Sequence, residues 1–180
     1  MKLDDVKKIR ERAVDYLKKA NIILTGEEKK NLEVADFGLN DIETMGLQLV
    51  VYENNDRYCA KELVLFPRQT CPEHRHPPID GTNFGKQETF RCRWGEVYLY
   101  LEGGQVREPK AKVPFKYKDY LTVWNEKILK PGDQFTIAPN TLHWFQAGES
   151  GAVVSEFSSK SIDEKDIWTD PNIKRIPVID

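Results

Sequence analysis

At 180 residues the chain has the size of one domain, and it carries 31% charged side chains at a formal net charge of −2. Lys+Arg 27 nearly cancel Asp+Glu 29, which argues against an electrostatic grip on nucleic acid or on an anionic membrane, since either needs a concentrated basic face. Cys59, Cys71 and Cys92 are too few and too widely spaced for a disulfide framework or a C-x-x-C pair. A reducing cytoplasm is therefore expected. The N-terminus MKLDDVKKIRER has no apolar stretch behind it, so no signal peptide is expected. The longest apolar run, near LQLVVY, falls far short of a membrane span.

Leu3, Val6, Ile9, Ala13, Val14 and Leu17 fall on helical spacing and predict an amphipathic helix from Leu3 to about Ala20. Asp4 and Asp5 suit its N-terminal end, and Lys18 and Lys19 its C-terminal end. Its apolar stripe is expected to cover the outside of a barrel or a subunit boundary. Thr25-Gly26-Glu27-Glu28 reads as a capping box opening a very short helix, and residues 35–45 read as irregular.

From Leu47 the period changes to two. Strands are predicted near residues 47–52, 60–66, 69–74, 87–94, 96–101, 126–129, 134–138, 141–146 and 152–158. Turn residues separate them at Asn54-Asn55-Asp56, Gly103-Gly104, Lys130-Pro131-Gly132-Asp133 and residues 148–151. Many short strands with regular turns predict a mainly β fold, a jelly-roll barrel with an N-terminal helix and short helical additions. Ser161-x-x-Glu164 repeats the capping-box pattern at the start of a Pro-interrupted tail. A single domain follows: a helical segment over 1–45, the barrel over 46–160 and the tail over 161–180.

The chain has only three histidines, and all fit one pattern. His74 and His76 are two apart, so on an extended segment both point the same way. Glu88, Phe90 and Cys92 share one face of the next strand, and His143 lies on a later one. Three imidazoles and a carboxylate converging inside a barrel would hold one divalent ion and leave about two positions open. A closed structural site would be tetrahedral and cysteine-rich. Donor type does not choose among Mn, Fe, Co, Ni and Zn.

These residues resemble the cupin superfamily. His74-x-His76 and Glu88-x6-Gly95 match its first motif, apart from the long insert PPIDGTNFGKQ, and Gly132, Pro139 and His143 match its second, with Thr141 where a Gly is usual. The insert, together with Lys86-Gln87-Glu88, Thr169-Asp170-Pro171 and Lys174-Arg175, resembles the D-lyxose isomerase family of cupins. The resemblance implies manganese-dependent interconversion of D-lyxose and D-xylulose, often of D-mannose and D-fructose too, by a homodimer.

Such a reaction needs a base at C2 of the sugar. Lys86 shares the face of Glu88, and Glu156 is a charged residue in the apolar strand AVVSEFS. Glu156 is expected as the base and Lys86 as its acid partner. Arg175 and Asp166 are expected to bind sugar hydroxyls if the tail folds over the barrel mouth, and Phe90 to stack on the sugar. Most other aromatics, among them Trp144, Trp124 and Tyr100, are expected as core filling. The competing functions are a cupin phosphosugar isomerase, an Fe-dependent cupin dioxygenase and a sugar-binding cupin without catalysis.

Overall fold

The structure, a computed structural model, describes residues 1–176. Helix α1 (Leu3–Lys19) forms as its periodicity predicts and buries Val6, Ile9, Ala13 and Leu17. Of the two expected sites it takes the outer face of the sheet, where it packs on Val34, Val50, Val64 and Val153. Helix α2 (Gly26–Asn31) opens on a complete capping box. Thr25 Oγ1 accepts from the Glu28 amide at 3.2 Å, and Glu28 Oε2 accepts from the Thr25 amide at 2.7 Å.

The strands are β1 (Glu33–Ala35), β2 (Leu47–Asn54), β3 (Cys59–Leu65), β4 (Thr70–Arg75), β5 (Glu88–Leu101), β6 (Asn125–Leu129), β7 (Gln134–Ile137), β8 (His143–Ser158) and β9 (Ile167–Trp168). Every ladder between them is antiparallel. Strand β8 pairs with β3, β4 and β5, so one strand gathers the sheet into a curled, cupin-like half-barrel. Leu49, Leu63, Cys92, Leu99, Phe145 and Val154 fill the inside of the curl.

Two expectations are corrected here. The stretches expected at 87–94 and 96–101 merge into one strand, β5, which starts at Glu88, and those expected at 141–146 and 152–158 merge largely into β8. Residues 148–151 do not form a hairpin turn. Gly95 pairs with Ala152 and Val97 with Ala147, so these four residues stand against Glu96 alone in a large bulge. Gly95 and Gly151 have φ of +72° and +89°. A Cβ on Gly95 would collide with the Gly151 carbonyl, and one on Gly151 with Tyr16 and the Leu65 carbonyl. Only glycine permits both the backbone turn and the close approach. The bulge bends both long strands so that each serves two stretches of the curl.

The tail crosses the open end. It makes a 3-10 turn at Asp163–Lys165 and then pairs β9 with β4, His74 opposite Trp168. The second expected capping box is absent, since no side chain caps that turn. Ser161 instead accepts from Lys61 Nζ at 2.9 Å and donates to Asp163. Residues 177–180 of the expected tail lie outside the described residues. No helix among the described residues is long and apolar enough to cross a membrane.

Candidate metal centre and its cavity

Three strands bring the histidine cluster together. His74 is the last residue but one of β4, and His76 follows just beyond that strand. His143 opens β8 directly across the ladder from His74. The three rings are 4.3, 4.8 and 5.5 Å apart between centroids. One ligand atom from each lies within 4.8 Å of the others. Glu88, the first residue of β5, closes the group: its Oε1 is 3.2 Å from His76 Nε2 and 2.9 Å from His143 Nε2.

Each imidazole has its Nδ1 engaged away from the shared point. The partners are Pro72 O for His74 at 2.8 Å, Thr141 O for His143 at 2.9 Å and Asp166 Oδ1 for His76 at 2.5 Å. These are acceptors, so each Nδ1 carries a proton and Nε2 is the nitrogen left to face a metal, on His76 only once the proton it shares with Glu88 is lost. His143 Nε2 is fully buried without a hydrogen-bond partner among the described residues, with the Glu88 carboxylate 2.9 Å away. Buried polar atoms are nearly always satisfied. An orphaned imidazole nitrogen facing a carboxylate and two more imidazoles fits a divalent cation.

Electrostatics agree with that donor set. Burial, with the neighbouring His143 and His76, holds the His74 pKa well below the usual histidine range, so its ring is neutral, as a metal ligand has to be. For Glu88 burial alone would raise the pKa, but Lys86 and His76 outweigh it and keep the carboxylate ionised. Burial also opposes charge on His76, yet Glu88 and Asp166 push it up to about 9. A cation would have to displace that proton. Cys71 sits in the cavity wall, but burial raises its thiol well above the ordinary range, and it remains a neutral thiol.

The cluster borders a cavity of about 40 Å³. That is room for about three waters at the roughly 10–15 Å³ that each occupies. His74, His76, Lys86, Glu88, Phe90, Glu156, Asp166 and Arg175 all line it, and His143 adjoins through Glu88. Lys86 Nζ lies 2.5 Å from Glu156 Oε1 and 2.8 Å from Glu88 Oε2. Burial disfavours its charge, but Glu156 and Glu88 more than offset that and hold the ammonium well above the usual lysine range. Asp166 meets His76. Arg175 is tied by Nη1 to Glu33 and by Nη2 to Asp163 at 2.6 Å. Phe90 packs edge-on against Phe145 at 5.0 Å.

Several lining residues escaped sequence reasoning. Lys61 is buried and pairs in register with Glu156. Its charge within the apolar strand CAKELVL is the same signal that singled out Glu156. Trp168 stacks on the His74 ring at 4.7 Å and packs on Phe37, itself held at φ +55° in the segment that reads as irregular. Asp163 joins Lys61 at 3.4 Å to Arg175. No local sequence signal marks Asp163 or Trp168.

Known proteins match the chain over nearly its whole length. The sequence model of the D-lyxose isomerase family matches residues 18–180. A D-lyxose ketol-isomerase from Thermofilum sp. (strain ex4484_79) is 66% identical, over 97% of this chain and 96% of the relative. A D-lyxose/D-mannose isomerase from Thermosediminibacter oceani is 65% identical, over 100% of this chain and 99% of the relative. Among solved structures, Acinetobacter sp. DL28 L-ribose isomerase in complex with L-ribose superposes with a TM-score of 0.81 at 14% identity, covering 100% of this chain and 98% of the other. Cellulomonas parahominis L-ribose isomerase gives a TM-score of 0.78 at 14% identity, over 96% of this chain and 94% of the other. At that identity the structures show a shared fold. On the family match and the identities to its relatives, the chain belongs to the D-lyxose isomerase family, a family of sugar isomerases.

Proposed function

We propose that this protein is a divalent-metal-dependent aldose–ketose isomerase for free sugars, converting D-lyxose to D-xylulose and accepting D-mannose to give D-fructose. The observation that carries the mechanism is a line of charged side chains ending on the histidines. Glu156 Oε1 is 2.5 Å from Lys86 Nζ, Lys86 Nζ is 2.8 Å from Glu88 Oε2, and Glu88 Oε1 is 2.9 Å from His143 Nε2. The substrates follow the names of the relatives at 66% and 65% identity.

His74, His76, Glu88 and His143 would hold the ion. Manganese is our choice on the resemblance, and mixed imidazole and carboxylate donors also accept Co, Ni, Fe or Zn. When bound, the ion supplies Lewis-acid polarisation at the C1 and C2 oxygens of the sugar. Glu156 takes the proton from C2 and returns it at C1 on the same face, the sugar passing through an enediol. Lys86, kept as an ammonium by its two carboxylates, is the acid partner. It fixes Glu156 and donates a hydrogen bond to the oxygen where negative charge grows. Arg175 contributes hydroxyl contacts from the tail, and the ring of Phe90 forms part of the apolar floor.

The phosphosugar alternative lacks a seat for its phosphate. Among the described residues, Lys61, Lys86 and Arg175 are the lysines and arginine lining the cavity, and each already has a carboxylate balancing its charge, so none is left to balance a phosphate dianion. Isomerisation in heavy water tests the proton-transfer step. Solvent deuterium in the ketose is the expected result, whereas a product free of deuterium means a hydride shift and removes Glu156 as base. In this reading the chain works in the cytoplasm, as one domain, paired in a homodimer. Gel filtration with light scattering should give twice the chain mass of 20.9 kDa, and a monomer would refute the pairing.

A further inference from the structure

The three histidines present the same nitrogen to one point, but they are braced differently. His74 and His143 turn Nδ1 to carbonyls two residues away in their own strand segments, at Pro72 and Thr141. His76 reaches 90 residues along the chain, to the Asp166 carboxylate at 2.5 Å. The two side chains are 7% and 8% exposed, so water competes little for either. No other side chain among the described residues hydrogen-bonds Asp166. Two residues on, Trp168 stacks on His74 at 4.7 Å with the ring planes 27° apart. The segment carrying both is held independently: Thr169 Oγ1 donates to Glu73 at 2.7 Å, and Arg175 clasps Asp163 at 2.6 Å.

We propose that Asp166 is a positioning residue for the metal centre: its carboxylate holds the His76 ring with Nε2 turned to the point shared with His74 and His143, and it does not read sugar hydroxyls. The inference rests on the metal reading above and assigns the tail a part in it. A carboxylate accepting from Nδ1–H fixes both the tautomer and the ring plane, and it raises the basicity of the opposite nitrogen. The two carbonyl-braced histidines get the first two effects from a neutral dipole, so His76 is the ligand whose donor strength depends on a charge. That charge comes from the tail.

The test is calorimetric titration of metal-stripped protein with Mn²⁺ and with Co²⁺, in wild type, Asp166→Asn, Asp166→Glu and Asp163→Asn. Asp166→Asn keeps the shape and an acceptor oxygen and loses the charge. We expect it to bind both ions about 10–100-fold more weakly, the usual cost of losing a ligand's hydrogen-bonding partner. The visible absorption of the Co²⁺ form should shift with it. Asp166→Glu should recover part of the affinity. Asp163→Asn, which loosens the tail without touching a histidine, should leave metal affinity nearly unchanged. Three outcomes overturn the proposal. Unchanged metal affinity with a raised KM for D-lyxose would make Asp166 a sugar contact. An equal loss of metal affinity in Asp163→Asn would assign the effect to tail docking as a whole. Wild type binding neither ion would sink the metal reading itself, and the two failures are distinguishable because the wild-type titration comes first.

Discussion

His143 and Trp144 are neighbours on β8, both fully buried, and they belong to opposite faces of the same strand. On the outer face Trp144 stacks on Tyr100 at 4.1 Å and meets Trp124 at 4.9 Å. Its indole N–H donates to Val123 O at 2.7 Å, and Tyr100 donates to Glu126 at 2.5 Å. Every polar atom named in that cluster has its partner. On the inner face His143 keeps Nε2 without one. Burial is equal on the two sides, so burial does not separate scaffold from site. Between these two layers the hydrogen bonding differs: the aromatic layer is satisfied within the chain, and the histidine layer leaves a buried ring nitrogen unpaired among three imidazoles and a carboxylate, the donor set a cation would complete.

Substitutions on the two faces should therefore fail in different ways. The largest effect is expected from His143→Ala, which removes the orphan donor. It should abolish tight Mn²⁺ uptake and lower kcat by about 10³-fold or more, matching several kcal/mol of lost Lewis-acid stabilisation, in a chain that still folds. Retained activity would place the chemistry elsewhere. Glu156→Gln should reduce kcat by about 10²–10⁴-fold, with metal affinity kept, and steady-state kinetics beside calorimetry separates the two quantities. On the outer face Trp144→Ala should cost about 3–5 kcal/mol of unfolding free energy by denaturant titration. Its folded fraction should isomerise at nearly the wild-type kcat. If Trp144→Ala lost metal and His143→Ala lost only stability, the contrast would be reversed.

A smaller, pH-dependent effect comes from the clasp at the cavity mouth. Burial alone would raise the Asp163 pKa, but Lys61 and Arg175 outweigh it and hold the carboxyl far below the usual carboxylate range. A depressed folded pKa contributes stability above the unfolded value and loses it as pH falls. Asp163→Asn should lower the Tm at neutral pH. The gap to wild type should then shrink below about pH 5, where the unfolded carboxyl begins to bind protons. A gap that stayed constant down to acid pH would show that the clasp stabilises by shape and not by charge.

Local patterns proved readable where the deciding interaction is local. Period-two alternation put Glu88, Phe90 and Cys92 on one face, and the strand buries all three while Arg91 and Arg93 between and beyond them are exposed. Thr25 and Glu28 close their box within one helical turn. Failures came where a distant partner decides. Ser161 carries the same local pattern as Thr25, but its hydroxyl accepts from Lys61 and donates to Asp163 instead of capping the turn. Lys61 and Glu62 are adjacent charges in one strand, and only the register, Lys61 opposite Glu156 and Glu62 opposite Ser155, says which faces the cavity. The glycines at 148 and 151 look like a turn because glycine signals positive φ. Whether that φ reverses the chain or bulges it depends on β5, about fifty residues earlier.

The central claim is that the histidine layer is completed by a metal ion. Elemental analysis of the purified protein, followed by chelation and reloading, tests it most directly. The account predicts about one divalent ion per chain, isomerase activity on D-lyxose that disappears when the ion is stripped, and recovery on adding Mn²⁺. Full activity in protein stripped of all divalent ions would contradict it.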